Sequence, residues 1–433
     1  MSGLKTPKGT ADELPREAFL YEEIIEKIRK VFVVHGASPI STPTFEMRSI
    51  LVNKYGDDSK LIYDLSDQGG EICSLRYDLT VPFARFLASK KIRRMKRYQI
   101  GKVYRRDQPS AAKGRLREFV QADFDIAGEC IPMMADAEVI SCVDKILRVF
   151  EIGEFVIKVN DRRILTSILE MIGVAEEDYS SICSTIDKLD KMSVDELRKE
   201  FMQKGLSECQ VLRIEEYMRQ AGNSNVLEYL ENDAVGEIAR CREAICSMKE
   251  LFRLCKILGC DECLAVDISL ARGLDYYTGM IIEAGYIGKQ VGSVIGGGRY
   301  DNLTENLGVK GMAIACVGFS VGVSRIFSML CEQYCKESAT VVYVGASGGL
   351  FLDERLSIIR MLWDAGIPSE TFYTKRSSFD DQVAYARKRG VPIVVVVGES
   401  EIASKSVQMI NLATNEKRTI LIEDAVGYIK EVV

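Results

Sequence analysis

Residues 97–128 read RYQIGKVYRRDQPSAAKGRLREFVQADFDIAG, and this stretch decides the fold. Tyr98 to Arg105 has the composition of a strand. Arg106 to Arg115, with Asp107, Pro109, Ser110 and Gly114, reads as a long loop. Leu116 to Ile126 then alternates: Val120, Ala122, Phe124 and Ile126 fall on one face, and Gln121, Asp123 and Asp125 on the other, because strand side chains repeat with period two. The pattern predicts an antiparallel hairpin with one apolar face and one face of carboxylates and amide. Arg105, Arg106, Arg115 and Arg117 flank it and supply the fork geometry that phosphates favour. A solvated surface hairpin would explain the alternation, but not four arginines around three acceptors.

Three downstream segments share this character. Ala271-Arg-Gly-Leu-Asp-Tyr-Tyr-Thr-Gly279 puts an arginine, an aspartate and two tyrosines on a turn leading into a strand. Gly296-Gly-Gly-Arg-Tyr-Asp301 reads as a glycine-rich turn where backbone can approach a ligand. Val317-Gly-Phe-Ser-Val-Gly-Val-Ser-Arg325 is a strand passing through small residues into a helix that presents Arg325.

Further out, Phe19, Ile24, Ile28, Val31 and Phe32 recur at helical spacing, predicting a helix from about Arg16 to Val34. Residues from about Arg162 to Met248 turn helical and highly charged. From about Thr340 the rhythm changes to strand–helix alternation, with strands at Val341–Val344, Thr371–Tyr373 and Pro392–Val397 and helices at Asp353–Ala365 and Phe379–Arg389. That is the pattern of a small α/β domain. Its Gly345-Ala-Ser-Gly-Gly349 turn lacks the GxGxxG spacing of a dinucleotide site.

The composition narrows the chemistry. The 433 residues are 47% hydrophobic and 28% charged, with net charge −6, as in ordinary globular proteins. Met1 to Arg16 is polar and unlike a signal peptide, and no apolar run is long enough to span a bilayer. Thirteen scattered cysteines point to a reducing compartment, and the Cys260/Cys263 pair lacks the second pair a structural zinc site needs. Histidine occurs once, as His35, beside Gly36 at the end of the first helix, where it is expected to cap carbonyls. Any chemistry therefore runs on carboxylates, arginines and metal-bound phosphate. The basic run Lys90 to Arg97 reads as a solvated face.

Together these segments resemble the signature motifs of class II histidyl-tRNA synthetases, from Lys5 to nearly the C-terminus, and most closely the eukaryotic cytosolic branch. The first helix with Pro43 resembles motif 1, Tyr104-Arg105 through Asp125 resembles motif 2, and Gly318, Gly322 and Arg325 resemble motif 3. Arg272-Gly-Leu-Asp-Tyr-Tyr277 resembles the element particular to the histidine enzymes. Leu75-Arg-Tyr-Asp-Leu-Thr-Val-Pro82 and Gln121-Ala-Asp-Phe-Asp-Ile-Ala127 resemble the eukaryotic members.

The resemblance implies an α+β catalytic domain built on an antiparallel sheet (1–161 and 251–335), a helical insertion (162–250) and a C-terminal α/β anticodon-binding domain (338–433). It implies a cytoplasmic homodimer that charges tRNA(His) with L-histidine through an adenylate, using ATP and Mg²⁺. By resemblance Arg105 and Arg272 are catalytic, gripping the α-phosphate. Asp107, Arg115 and Arg325 join them in holding ATP. Asp78, Leu79, Thr80 and Gln121 hold the head of histidine, and Asp125 with Tyr277, beside Tyr276, reads the imidazole. No residue is assigned to a metal. Asp78 and Asp125 stand where bacterial members often use glutamate, one methylene longer. The loop from Arg106 to Lys113 is a residue longer than theirs.

One rival and one chance motif carry less. A catalytically dead relative, such as a regulatory subunit of histidine biosynthesis, is expected to lose catalytic arginines or the last domain, and this chain keeps Arg105, Arg115, Arg272, Arg325 and that domain. Lys191-Met-Ser-Val194 superficially matches the class I KMSK loop but has no HIGH partner.

Overall fold

The computed structural model describes residues 4–51, 56–66, 69–110, 114–189, 192–271, 276–289, 291–307, 313–334, 338–374 and 378–432. The chain divides into two compact units: Glu23–Glu332 with the segment ending at Asp12, and Glu13–Glu22 with the chain from Gln333 onward.

The first unit is built on ten strands: β1 (Ser38–Pro39), β2 (Phe45–Met47), β3 (Cys73–Leu75), β4 (Met95–Tyr104), β5 (Glu118–Ala127), β6 (Phe155–Asp161), β7 (Leu264–Val266), β8 (Met280–Tyr286), β9 (Ile295–Arg299) and β10 (Cys316–Gly322). Eight of them form one sheet in the order β1-β4-β5-β10-β9-β8-β6-β7, while β2 and β3 make a separate ribbon. Pairing is antiparallel from β4 to β6 and parallel only at the two edges.

The β4–β5 hairpin pairs as its alternation predicts, with Tyr98 opposite Phe124 and Ile100 opposite Ala122. Their shared apolar face meets the helix Pro15–Val34. Phe32 lies 5.6 Å from the rings of both Tyr98 and Phe124, and Phe124 stacks on Phe319 of β10 at 5.7 Å. Burying this aromatic layer, at roughly 25 cal/mol per Å² of apolar surface, holds the sheet flat against the helix and leaves its other face for a ligand.

The glycines at 296–298 form a strand, β9, and not the turn expected from composition. The reason is a close approach of backbones: a Cβ on Gly297 would lie 2.2 Å from the Gly318 carbonyl oxygen and 2.6 Å from the Phe319 Cα.

Between β6 and β7 the chain is helical: Arg162–Met171, Tyr179–Ile186, Val194–Gln203, Glu208–Met218, Val226–Asn232 and Ala239–Leu258. Capping boxes start two of these, Ser193 with Glu196 and Ser207 with Gln210, each satisfying two otherwise orphaned backbone donors. Ser193 of the KMSK-like tetrapeptide is therefore a helix cap; Lys191 lies outside the described residues.

His35 does not cap carbonyls with its ring. The helix ends through backbone bonds, His35 N–H to Val31 O and Gly36 N–H to Val33 O. The imidazole instead sits 3.4 Å from Glu138 and 3.2 Å from the Lys145 ammonium.

The second unit carries a five-stranded sheet of β11 (Val342–Ala346), β12 (Ser369–Thr371), β13 (Ile393–Val397), β14 (Ser406–Asn411) and β15 (Lys417–Leu421). Its order is β12-β11-β13-β14-β15, parallel through β13 and antiparallel beyond. Helices Leu352–Asp364, Phe379–Lys388 and Ala425–Val432 accompany it. The run of five buried residues in β13 has apolar clusters on both sides, which is why it reads as continuously apolar.

Candidate active site

The ligand face of the large sheet follows from register. On β5 it carries Gln121, Asp123 and Asp125. Opposite them β4 places Gly101, Gln99 and Arg97, and β10 places Gly322, Ser320 and Gly318. Carboxylates thus lie between a strand bearing one guanidinium and a strand bearing almost no side chains.

Arg97 is fully buried at 0% exposure, and Asp123 and Asp125 at 1% and 2%. Its Nη2 lies 2.7 Å from Asp125 Oδ2 and 3.7 Å from Asp123 Oδ2, donates to the Leu79 carbonyl at 3.1 Å, and its guanidinium covers the Phe83 ring at 4.5 Å. The Tyr300 hydroxyl donates to Asp125 Oδ1. The last residue of the basic run is thus a floor residue, not part of a solvated face. A buried charge needs partners, and Arg97 has two.

One wall is the stretch after β3. Asp78 Oδ1 accepts from the backbone N–H groups of Thr80 (3.2 Å) and Val81 (3.1 Å), satisfying donors at the start of helix Thr80–Lys90. Leu79 is wholly buried and takes part through its carbonyl. Arg76 lies across Gly101, its Nη2 2.7 Å from where a Cβ would stand, and donates to the carbonyls of Lys102 and Thr42. Burial pulls its guanidinium below the usual arginine value.

The tyrosines pack beside this wall, against the cluster that holds Tyr77, Val81 and Phe83. Tyr276 meets Tyr277 edge-on at 4.7 Å and Tyr300 at 6.2 Å. Burial, then Tyr277 and Asp78, push the Tyr276 hydroxyl well up, with Arg105 opposing, so wall, tyrosines and Arg105 share one electrostatic neighbourhood. Backbone bonds pin the loop: Arg162 Nη1 donates to the Tyr277 carbonyl at 2.7 Å, and Thr278 N–H to the Arg299 carbonyl at 2.7 Å. Arg299 is itself anchored on Asp136 and Asp301. The hydroxyl bonded to Asp125 is Tyr300's, a residue that the sequence reading quoted but gave no role. The Tyr277 ring lies by Gly298, its Cδ1 3.0 Å from the Cβ position there.

Of the expected arginines, Arg105 extends β4, donates to the Tyr77 carbonyl at 3.2 Å and stacks on the rings of Tyr77 (4.2 Å) and Phe119 (5.2 Å). Arg325 rises beside Gly322, its Cδ 3.5 Å from the Cβ position, and bonds the Ser293 carbonyl. Both therefore stand towards the Gln121 end of the floor. Arg115 is exposed on the hairpin loop, which Ser110 and Arg115 close with reciprocal backbone bonds of 2.8 and 3.0 Å. Asp107, also exposed, accepts from the Gln108 N–H. Arg272 lies outside the described residues.

Several buried polar atoms on the floor lack a well-aligned hydrogen bond: Gln121 Oε1, Asp123 Oδ1, Asp125 Oδ2, Ser320 Oγ, and Arg97 Nε and Nη1, although Ser320 faces Asp123 across the strand pair and its hydroxyl favours the ionised carboxylate. Asp125 Oδ2 is close to Arg97 in charge terms but off its N–H axes, so it stays free to accept. Such vacancies cost about 1–3 kcal/mol each unless a ligand or water fills them. Three acceptors along one strand call for a donor-rich cationic ligand, and guanidinium groups beyond one end suit an anionic one.

Burial, with Asp125 and Asp78 nearby and against the pull of Arg97, raises the Asp123 carboxyl to about 7; burial likewise raises Asp125. Because the folded value is the higher one, Asp123 contributes stability that is complete below the unfolded value and lost as pH rises through about 7. The Asp123→Asn protein lacks this dependence. Its melting temperature is expected to gain on the parent's as pH rises from about 4 to 7; thermal melts of both across that range would contradict this by showing a constant difference.

Among the described residues no three acidic, cysteine or histidine side chains are grouped to hold a metal ion. Cys260 donates through sulfur to the Cys255 carbonyl at 3.5 Å.

A family model described as "Histidyl-tRNA synthetase" matches residues 9–326, and one described as "Anticodon binding domain" matches 338–432. The chain is 69% identical to "Probable histidine--tRNA ligase, cytoplasmic" of Encephalitozoon cuniculi, over 99% of both chains. It is 42% identical to "Histidine--tRNA ligase, mitochondrial" of Homo sapiens, over 99% of this chain and 88% of that one. Among solved structures, histidyl-tRNA synthetase from Nostoc sp. PCC 7120 is similar over the full length of both chains, with TM-score 0.85 and 27% identity.

Proposed function

Since this chain belongs to the histidyl-tRNA synthetase family, we propose that its acceptor floor holds L-histidine and that the arginines beyond Gln121 hold ATP. The reaction is the ligation of L-histidine to tRNA(His). A histidine carboxylate oxygen bonds to the α-phosphorus of ATP and pyrophosphate leaves. The 3′-terminal hydroxyl of the tRNA then attacks the adenylate carbonyl and AMP leaves. The observation that carries the reading is the set of buried acceptors at Gln121, Asp123 and Asp125 that lack a well-aligned hydrogen bond.

In this assignment Asp78, Thr80 and Gln121 receive the α-ammonium. Asp125 accepts a ring N–H through Oδ2, with its Oδ1 held by Tyr300, and Tyr277 completes the other ring nitrogen, with Tyr276 as its packing partner. The assignment of Leu79 narrows to its carbonyl, which orients Arg97. Arg105, prevented from swinging by Tyr77 and Phe119, neutralises charge at the α-phosphate, and Arg272 is assigned the same role by resemblance. Arg325 lies against the nucleotide, while Arg115 and Asp107, carried on the exposed loop, would reach ATP only as that loop folds over it. Displacements of this kind depend on positioning and preorganised charge. Mg²⁺ would enter on the ATP phosphates, and no residue is assigned to it. The adenylate phosphate is the proposed proton acceptor in the transfer step.

We assign 1–161 and 251–335 to the catalytic domain, 162–250 to its helical insertion and 338–433 to anticodon binding. The protein works in the cytoplasm, as the name of the Encephalitozoon relative has it, and no described helix is long and apolar enough to cross a membrane. A homodimer is proposed by resemblance to the family, and the exposed Phe45 (55%), Met47 (39%) and Ile72 (59%) in the β2–β3 ribbon region are the positions at which to test it. The double variant Phe45→Lys/Ile72→Lys is expected to shift light scattering from a pair of 48.4 kDa chains to single chains; an unchanged mass would remove this ribbon from the interface.

Histidine-dependent exchange of pyrophosphate into ATP, followed by charging of tRNA(His), tests the whole assignment. Exchange without charging leaves an adenylate-forming enzyme only. A folded protein with no exchange overturns the reading.

A further inference from the structure

The chain that carries Tyr276 and Tyr277 runs into β8 through one peptide group that is bonded at both ends. The carbonyl of Tyr277 and the N–H of Thr278 share a plane and, in a trans peptide, point to opposite sides of it. Arg162 Nη1 donates to that carbonyl at 2.7 Å. The Thr278 N–H donates to the Arg299 carbonyl of β9, also at 2.7 Å. Fixing a peptide plane at both poles fixes the torsions beside it, ψ of Tyr277 and φ of Thr278. With them it fixes the direction in which the Tyr277 side chain leaves the backbone.

The two fastenings differ in kind. On the β9 side backbone does the work, and Thr278 is tied there again: its hydroxyl donates to the Arg299 carbonyl at 3.3 Å and accepts from the Asp301 N–H at 3.1 Å. The Tyr277 carbonyl is held by a charged side chain whose stem starts from fixed backbone. The Arg162 N–H donates to the Gly279 carbonyl at 3.0 Å, just past the β6–β8 ladder. Arg162 then opens the helix Arg162–Met171, whose N-cap Asp161 accepts from both the backbone and the guanidinium of Arg163. Arg240 grips the same helix at the Thr166 carbonyl and the Ser167 hydroxyl, each at 3.1 Å. The β6 and β8 strands are already joined from Phe155–Tyr286 to Asp161–Met280. The guanidinium therefore acts beyond that joint, on the peptide that aims the tyrosine.

We propose that Arg162 is a positioning residue for histidine: by holding the Tyr277 carbonyl it sets the aim of the Tyr277 phenol, without touching the substrate itself. The proposal rests on the assignment of Tyr277 to the imidazole. Without the guanidinium the plane keeps its Thr278 end and can turn at the other, which carries the phenol off its mark.

The test is pyrophosphate exchange with full-length protein, varying histidine and ATP separately, for Arg162→Met, Tyr277→Phe and the pair together. Arg162→Met is expected to raise KM for histidine about tenfold, the worth of one hydrogen bond from a charged group, while KM for ATP stays within about twofold. Because Arg162 acts through the phenol, the same substitution made on Tyr277→Phe is expected to add less than about twofold. Should Arg162→Met fold poorly, Arg162→Gln, which keeps a neutral donor, enters the same cycle with a smaller rise of the same sign. A folded variant whose histidine KM matches the parent's overturns the proposal. So do two KM values that rise together, or a full penalty on the Tyr277→Phe background, and Arg162 is then only a fastener of the chain. If the parent shows no histidine-dependent exchange, or Tyr277→Phe alone leaves the histidine KM unchanged, the failure lies with the assignment of Tyr277 and the proposal falls with it.

Discussion

Asparagine at position 125 is expected to lower kcat/KM for histidine by about 10⁴-fold, the penalty when a site built to bond a substrate polar group loses that bond. The amide keeps the shape of the carboxylate, so the pocket does not collapse. It removes the charge that accepts the ring N–H and turns one acceptor into a donor. A second effect works alongside. Arg97, 2.7 Å from Asp125, loses its nearest counter-charge, and breaking a buried pair costs about 3–5 kcal/mol of stability. The two are separable, because instability lowers the amount of folded enzyme while the lost bond acts on the folded fraction. Active-site titration with exchange kinetics, read beside thermal melts, distinguishes them. A loss of only tenfold per folded site would remove Asp125 from imidazole recognition.

Alanine at position 318 adds one methyl group, and it is expected to be nearly as damaging. Its Cβ would lie 2.1 Å from Asp125 Oδ1 and 2.5 Å from the Phe124 carbonyl oxygen. The carboxylate could rotate away, at the expense of its bonds to Tyr300 and its pairing with Arg97. The backbone carbonyl cannot, so strands β5 and β10 must separate. Overpacking of this kind costs about 1–3 kcal/mol, and displacing a reacting group by about 1 Å costs on the order of 10²-fold in rate. Gly322→Ala on the same strand is the control. There the Cβ meets Arg325 Cδ and the Val294 carbonyl at 3.5 Å, ordinary contact, so melting temperature and histidine KM should stay close to the parent's. Equal damage at both positions would mean that β10 fails for lack of flexibility and not for lack of room at Asp125.

Of two residues that matter here, one was visible locally and misread, and the other was not visible. Arg97 closes a run of basic residues, and the run dominated its reading. Yet it shares parity with Gln99 and Gly101, opposite the apolar Tyr98 and Ile100, and that alternation was the signal that could have found it. Tyr300 had no such signal. It follows a glycine-rich segment that composition assigns to a turn, and becomes the partner of Asp125 only once β9 is a strand beside β10.

From the order of side chains alone came the β4–β5 hairpin, its polar face, the helical character of the stretch between β6 and β7, and the strand–helix rhythm of the last hundred residues. Each of these is a periodicity acting within a few residues of itself, so a linear reading reaches it. Folding in three dimensions decided that Arg97 is buried with two carboxylates, that Tyr300 bonds Asp125, and that Gly318 must stay bare. Those outcomes depend on which strands become neighbours, a choice made by the burial of a shared aromatic layer across residues hundreds of positions apart, and no local pattern records it.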